Sequence, residues 1–252
     1  MPVPLPLEPT HAAPAADLPS ILAAATETPV RDPRRPAVLR DASPVGTALY
    51  FPITVSERLA KTLSVLFHPL LTAAYLLVAV TAIDAPSVWP AIGWLVLVLG
   101  LSIGGPGLYL WLRVRSRRVE DFQIMLREQR LRPLLVSLGF SASALAVLLA
   151  AGGPRALVLA LSVGVANGIV LTLITLGWKI SFHTATLTGA VAVLWWCVGA
   201  GAAAVLALVV VVGWARLRLR RHTPAQVVAG ALVAGAVSTV VILGLERVFQ
   251  GI

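Results

Sequence analysis

The chain has 252 residues, of which 58% are hydrophobic and only 12% are charged. Such an apolar composition, with a mean hydropathy of +0.89, excludes an ordinary water-soluble domain and predicts an all-α integral membrane protein. A net charge of +9 is compatible with nucleic-acid binding, but the arginines are confined to short runs between apolar stretches. That distribution is typical of membrane topology and anionic head groups, so we expect membrane lipids and not nucleic acid as partners.

Residues 1–62 differ in composition from the rest of the chain. They contain eleven prolines by position 52 and many alanines, which predicts a disordered Pro/Ala-rich tail. No basic start is followed directly by an apolar stretch, so this tail is not expected to be a secretory signal peptide. The sequence therefore predicts two regions, the tail at 1–62 and a transmembrane domain at 63–252.

Several apolar stretches approach the length of about 20 residues that a helix needs to cross the hydrocarbon core. There are seven of them, at 63–83, 88–112, 134–151, 155–177, 182–198, 200–215 and 226–245. The fifth and sixth are short and are divided only near Gly199 and Gly201. We therefore predict a polytopic transmembrane helical bundle of six to seven spans.

The positive charges are gathered on one side of this predicted bundle. Two predicted spans separate each polar segment from the next, so the chain returns to the same face of the membrane each time. The four segments on this face are the tail, 113–133, 177–183 and 215–226. Of the 20 Lys and Arg residues, only Arg155 and Arg247 lie elsewhere. For a multi-pass protein, the positive-inside rule then predicts that this face and the N-terminus are cytoplasmic.

Three of these segments also contain the residue types that phosphate chemistry requires. Arginine offers a forked set of donors and lysine a compact charge to a phosphate dianion. Histidine can attack phosphorus or transfer a proton near neutral pH. The candidate residues are Arg127, Arg130 and Arg132 in the first segment, Lys179, Ser181 and His183 in the second, and Arg216 and His222 in the third.

The order and spacing of these residues resemble the type-2 phosphatidic acid phosphatase superfamily, whose motifs read KxxxxxxRP, PSGH and SRxxxxxHxxxD. The third motif is the best match, because ARLRLRRHTPAQVVAG places Arg216 and His222 at the expected spacing. The second motif reads KISFH and matches at Ser181 and His183. The KISxH and HTPAQ patterns are similar to a divergent branch of this superfamily.

Two departures from the family motifs concern charge. The first motif reads MLREQRLRP, so Arg132 matches while Met125 replaces the expected lysine, whose charge Arg127 or Arg130 would have to supply. In the third motif Gln226 stands where the family has aspartate. A glutamine carbonyl can accept the imidazole N–H, but it adds no negative charge.

The resemblance covers roughly residues 60–248 and implies a phosphatidic-acid-phosphatase-type core formed by the last five or six spans, with the first span at its periphery. It also favours a bacterial plasma membrane as the location. It implies a lipid-phosphate phosphatase that hydrolyses a phosphomonoester or diphosphate, as in phosphatidic acid or a polyprenyl diphosphate, through a phosphohistidine. Because the four histidines are dispersed and the sequence contains no metal-ligand cluster, we expect no metal or cofactor. The same resemblance implies that His222 is the nucleophile, that His183 is the general acid and that Gln226 orients His222. It also implies that Arg132, Arg216 and Ser181 bind the phosphoryl oxygens. We add Lys179, which lies one helical turn before His183.

The alternative is a non-catalytic membrane protein, either a degenerate phosphatase that binds anionic lipid head groups or an anion carrier. The departures Met125, Ile180, Phe182 and Gln226 favour this interpretation.

Two polar residues outside the motifs are predicted to have structural roles. His68, followed by Pro69 without a motif around it, is predicted to be a structural histidine near the membrane interface. Asn167, inside the fourth span, is predicted to form a hydrogen bond with a neighbouring helix.

Overall fold

A computed structural model describes residues 54–84, 87–116 and 131–251. The helices in these ranges are α1 (Val55–Leu66), α2 (Pro69–Asp84), α3 (Val88–Leu99), α4 (Gly105–Arg115), α5 (Leu131–Ala150), α6 (Arg155–Gly177), α7 (Phe182–Val198), α8 (Ala203–Arg218) and α9 (Pro224–Gly251). A π-helical turn at Gly100–Gly104 joins α3 to α4, and a 3₁₀ turn at Gly199–Ala202 joins α7 to α8. The described part of the chain has no strand, which confirms the predicted all-α class there.

Long apolar helices dominate the described ranges. Five segments are long and apolar enough to cross a membrane: Val88–Arg115, Leu131–Ala150, Arg155–Gly177, Phe182–Arg218 and Pro224–Gly251. Helices α1 and α2, which meet at an angle of 54°, form a sixth if they are counted as one broken span. These helices support the predicted multi-pass membrane protein.

The segment Phe182–Arg218 is a hairpin of α7 and α8 and not one long helix. Gly199 has φ 59° and ψ −136°, a backbone conformation that reverses the chain and that glycine adopts without steric cost. A Cβ added to Gly213 in α8 would lie 3.7 Å from Cγ2 of Thr184 in α7. The end of α8 therefore lies beside the start of α7, and the two helices correspond to the separately predicted stretches 182–198 and 200–215.

The helical unit begins earlier than the sequence predicts, because α1 starts at Val55, inside the segment 1–62 assigned to a disordered tail. The remainder of that segment, before Thr54, lies outside the described residues. Thr54 and Glu57 form a capping box, in which each side chain accepts the other's backbone N–H, at 3.3 and 3.4 Å. Helix α1 is amphipathic and too polar to be recognised as a span, but the Thr-x-x-Glu pattern is visible in the sequence.

Helix α1 is held against the end of α8 by Arg218. The Arg218 guanidinium lies 3.2 Å from the Glu57 carboxylate, and it donates hydrogen bonds to Ser56 Oγ at 3.1 Å and Thr54 Oγ1 at 3.2 Å. An ion pair this exposed contributes at most about 1 kcal/mol. Three contacts to one helical turn nevertheless fix where α1 begins, directly beside the C-terminal turn of α8.

The polar segments meet at one end of the bundle. The Ser181 N–H before α7 donates to the Gln226 carbonyl in the first turn of α9, at 3.2 Å. At the other end, the Asp84 carboxylate accepts the Ala156 N–H at 3.1 Å. This agrees with the crossing count, which places 177–183 and 215–226 together. The cytoplasmic placement of this end stays a prediction.

The predicted helix-to-helix hydrogen bond of Asn167 is confirmed. Its Nδ2 donates to Ser238 Oγ of α9 at 3.0 Å and to the Val163 carbonyl of its own helix at 3.0 Å. Asn167 is 7% exposed, and the contact ties α6 to α9 in the interior of the bundle. A polar side chain in an apolar bundle is stable there because a neighbouring helix supplies the partner.

Gly230 is required for the close approach of α9 to the start of α7. An added Cβ would lie 2.6 Å from the Ser181 carbonyl oxygen and 2.7 Å from Thr184 Oγ1. We expect Gly230→Ala to lower stability by about 1–3 kcal/mol, because a backbone oxygen cannot move away without displacing a helix. Thermal unfolding in detergent measures this. The matched control is Gly244→Ala in the same helix, where no atom lies within 4 Å; equal melting temperatures for both variants would contradict the prediction.

Candidate functional site

A cavity of about 290 Å³ opens at the end of the bundle where the motif residues lie. His183, Arg216 and His222 line its polar end, and the remaining walls are mainly apolar side chains of α2, α5, α6 and α7. Along α6 the lining extends from Thr172 back to Ala160. At a rise of 1.5 Å per residue this corresponds to about 18 Å of depth. The cavity thus joins a cationic head to a long apolar interior.

Gln226 has two roles at the start of α9. With Thr223 it forms a capping box: the Gln226 N–H lies 3.4 Å from Thr223 Oγ1, and Gln226 Oε1 accepts the Thr223 N–H at 3.2 Å. The same Oε1 lies 3.1 Å from Nδ1 of His222. One amide oxygen therefore closes the first turn of α9 and holds the imidazole of His222.

These contacts define the tautomer of His222. The Thr223 backbone N–H can only donate, so the Gln226 atom that it meets must be the amide oxygen. Since that oxygen can only accept, His222 Nδ1 carries the proton, and in the neutral ring the lone pair lies on Nε2. The hydrogen bond to the glutamine carbonyl that the sequence suggests is present, and it selects the tautomer that a nucleophile acting through Nε2 requires.

His183 is held by a helix outside the three motifs. Its Nε2 lies 3.1 Å from the backbone carbonyl oxygen of Ser64 in α1, and the ring is 6% exposed. A carbonyl can only accept, so His183 Nε2 is the donor and Nδ1 is the nitrogen that can exchange a proton with a ligand. Arg216 and His222 both lie close enough to act electrostatically on the His183 ring. The two motif histidines and the motif arginine therefore belong to one site.

Arg216 is buried although it carries a charge. It lies in the last turn of α8, is 3% exposed and lines the cavity. Burial removes a guanidinium from water at a cost of several kcal/mol unless a counter-charge or hydrogen-bond acceptors replace the lost hydration. Two residues further along the same helix, Arg218 points away toward α1. The helix thus presents one arginine to the cavity and the other to the amphipathic helix.

Two further predicted ligands, Ser181 and Lys179, lie beside the cavity but not among its lining residues. Ser181 is fully buried, and its hydroxyl caps α7 by accepting the Thr184 N–H at 3.5 Å. The Thr184 hydroxyl in turn donates to the Val227 carbonyl at 3.0 Å. Together with the bond from the Ser181 N–H to the Gln226 carbonyl, these bonds join the start of α7 to the start of α9. A role of Ser181 or of the half-buried Lys179 in binding phosphate stays a prediction.

The first motif is only partly brought to the site. Arg132 is exposed in the first turn of α5, and it does not line the cavity, whereas the adjacent Pro133 and Leu134 do. Arg127 and Arg130 lie outside the described residues. Phosphate binding by these three arginines therefore stays a prediction from the resemblance.

His68, which the sequence predicts to be structural, is one of the cavity residues. It lies at the bend between α1 and α2, lines the cavity and meets the His183 ring edge-on. The first span, predicted to be peripheral, thus contributes both His68 and the Ser64 carbonyl to the surroundings of His183. No local pattern indicates this, because the contact between His183 and Ser64 joins residues 119 positions apart.

Within the described residues, no group of three or more His, Cys, Asp or Glu side chains is placed to hold a metal ion. Comparison with known proteins finds no matching family model, no matching curated protein and no matching solved structure.

Proposed function

We propose that this protein is an integral membrane phosphatase that hydrolyses a phosphomonoester or diphosphate of a lipid through a phosphohistidine. One observation carries the proposal: His183, Arg216 and His222 meet at the polar end of a cavity whose remaining walls are mainly apolar. The core of the bundle would then be of the phosphatidic acid phosphatase type. The resemblance of the three motifs to that superfamily supports the same reaction.

The shape of the cavity favours an amphiphilic substrate. Moving a hydrocarbon chain out of water is favourable by roughly 0.8 kcal/mol per CH₂ group. A lipid chain in the bilayer has already left water, so it can move into a tunnel of apolar side chains without losing this free energy. The polar end offers the buried charge of Arg216, which matches the oxygens of a phosphoryl group. Phosphatidic acid and a polyprenyl diphosphate both have this division into an anionic head and an apolar chain.

In the proposed first step, the lone pair of His222 Nε2 attacks phosphorus. The bond from phosphorus to the leaving oxygen breaks, and that oxygen keeps the electron pair and takes a proton from Nδ1 of His183, whose doubly protonated form is stabilised by the negative charge of the bound substrate. The His183 Nε2–H stays on the Ser64 carbonyl throughout, which keeps the ring oriented. Gln226 holds the Nδ1–H of His222, so the attacking nitrogen faces the cavity as the imidazole becomes positively charged.

In the second step a water molecule attacks the phosphorus of the phosphohistidine. His183 Nδ1, now neutral, takes a proton from that water as the nitrogen–phosphorus bond breaks and its electron pair returns to His222. Inorganic phosphate leaves, and both histidines regain their starting protonation. The products are phosphate and a lipid alcohol, or a lipid monophosphate where the substrate is a diphosphate.

Arg216→Gln tests the proposal with a matched control, Arg220→Gln, four residues further along the chain at an exposed position. We expect wild type and Arg220→Gln to release phosphate in detergent from phosphatidic acid or a polyprenyl diphosphate. Arg216→Gln should lower kcat/KM about 100-fold, because a buried donor to the transferring group is lost. Wild-type protein that releases phosphate from neither lipid would support a non-catalytic anion-binding protein instead. Equal rates for the two variants would remove Arg216 from the site.

A further inference from the structure

His68 belongs to the cavity although it lies outside all three motifs. Its ring centroid is 5.8 Å from that of His183 and the two rings are nearly perpendicular, at 85°. Both rings line the same polar end as Arg216 and His222. The 54° bend between α1 and α2 is what turns this position inward. Among the described residues, the site therefore contains three imidazoles and not only the two of the motifs.

A hydrogen bond to His68 determines which of its ring nitrogens carries the proton. The Leu70 backbone N–H donates to His68 Nδ1 at 3.3 Å. A backbone N–H can only donate, so the proton of the neutral His68 ring lies on Nε2. The Nε2–H is a hydrogen-bond donor, and it becomes a charged donor when the ring is protonated.

On the basis of the function proposed above, we propose that His68 binds a phosphoryl oxygen of the substrate through its Nε2–H. A phosphoryl group presents several anionic oxygens, and among the described residues Arg216 is the one arginine that lines the cavity. His68 lies on the side of His183 formed by the first span, whereas Arg216 approaches from α8. The two donors thus reach the polar end from different helices and can bind different oxygens of one phosphoryl group.

A simpler explanation is that His68 only caps α2. Pro69 is the first residue of that helix, and the bond from the Leu70 N–H to His68 Nδ1 is the one that a capping side chain forms. The two explanations involve different ring nitrogens. Capping uses Nδ1 as an acceptor, while phosphate binding uses Nε2 as a donor, so substitutions that keep one atom and remove the other can separate them.

The experiment compares His68→Asn with His68→Gln in the full chain in detergent. Asparagine keeps an acceptor near the position of Nδ1 and is among the best capping residues, but it has no donor at the position of Nε2. Glutamine can bring an amide N–H near that position and is a poor cap. We expect His68→Asn to retain the wild-type melting temperature and to lose about 10- to 100-fold in kcat/KM, mainly through a higher KM. His68→Gln should retain more activity than His68→Asn despite a lower melting temperature.

The opposite order would overturn the inference. If His68→Asn has the wild-type kcat/KM and only His68→Gln is impaired, His68 is a helix cap.

A binding measurement separates this outcome from a failure of the proposed function. Inorganic phosphate should raise the melting temperature of the wild type, and the rise should be smaller in His68→Asn. If the wild type releases no phosphate from either lipid, the phosphatase proposal fails. The phosphate-induced shifts then decide on His68 alone, and equal shifts in the wild type and His68→Asn overturn its role.

Discussion

His222→Asn is expected to reduce phosphate release from a lipid phosphate by at least about 1,000-fold, because the covalent step of the proposed mechanism has no other nucleophile. Asparagine retains polarity and can still face Gln226, so the first turn of α9 should form. Its side chain cannot attack phosphorus. The decisive measurement is single-turnover kinetics with a lipid that carries radiolabelled phosphate. Wild-type protein should acquire a label that is lost in acid and survives alkali, as a phosphohistidine does.

The control for this experiment is Arg220→Gln, since position 220 lies in the same turn before α9 and its side chain is exposed. It should acquire the label at the wild-type rate. His222→Asn should remain unlabelled while keeping a wild-type melting temperature. Labelled protein in the His222→Asn sample, or phosphate release close to the wild-type rate, would remove His222 as the nucleophile.

Gln226→Leu is expected to have the second largest effect, a loss of about 1,000-fold in kcat. Leucine removes the oxygen that accepts the His222 Nδ1–H, so the imidazole can adopt the tautomer that has its proton on the attacking Nε2. For comparison, the loss of the orienting carboxylate in a serine protease costs roughly 10,000-fold through the same error of tautomer. The capping box is lost as well, which should lower stability by only about 1 kcal/mol.

Gln226→Glu separates orientation from charge. Glutamate has nearly the same shape, preserves the Thr-x-x-Glu capping box and adds a negative charge in the first turn of α9, where the helix dipole favours it. That charge would also stabilise the positive imidazole of a phosphohistidine. We therefore expect kcat of Gln226→Glu at or above the wild-type value, measured as phosphate release at saturating lipid. Equal kcat in the leucine and glutamate variants would show that the bond between Gln226 and His222 has no part in the reaction.

The spacing within the last motif can be interpreted correctly from the sequence alone, because it is local. His222 and Gln226 are four residues apart at the start of a helix, where side chains with this separation lie on adjoining turns. The sequence contains a second local signal there, since Thr223 and Gln226 form the pattern of a capping box. The bond of Asn167 to a neighbouring helix was predictable for a different reason, since a polar side chain inside an apolar span needs a partner.

The contribution of the first span could not be predicted in this way. Helix α1 is too polar for a membrane span, and its link to the site passes through a backbone carbonyl, at Ser64, which no side-chain pattern can indicate. His68 faces the cavity only because α1 and α2 meet at 54° and pack against α8 and α7. The exposure of Arg132 is a second example: Pro133 and Leu134, and not the arginine, turn toward the cavity at the start of α5.

Hydropathy and spacing alone predict an all-α multi-pass membrane protein with the second and third motifs at one end of the bundle, and the described residues agree with this. Hydropathy, and the number of spans between two polar segments, can both be read from consecutive residues. The bilayer permits few arrangements of the spanning helices. The folded structure alone establishes which polar side chains share a cavity, because that depends on contacts between helices distant in sequence. It placed His183, Arg216 and His222 together, added His68, and left Arg132 on the surface.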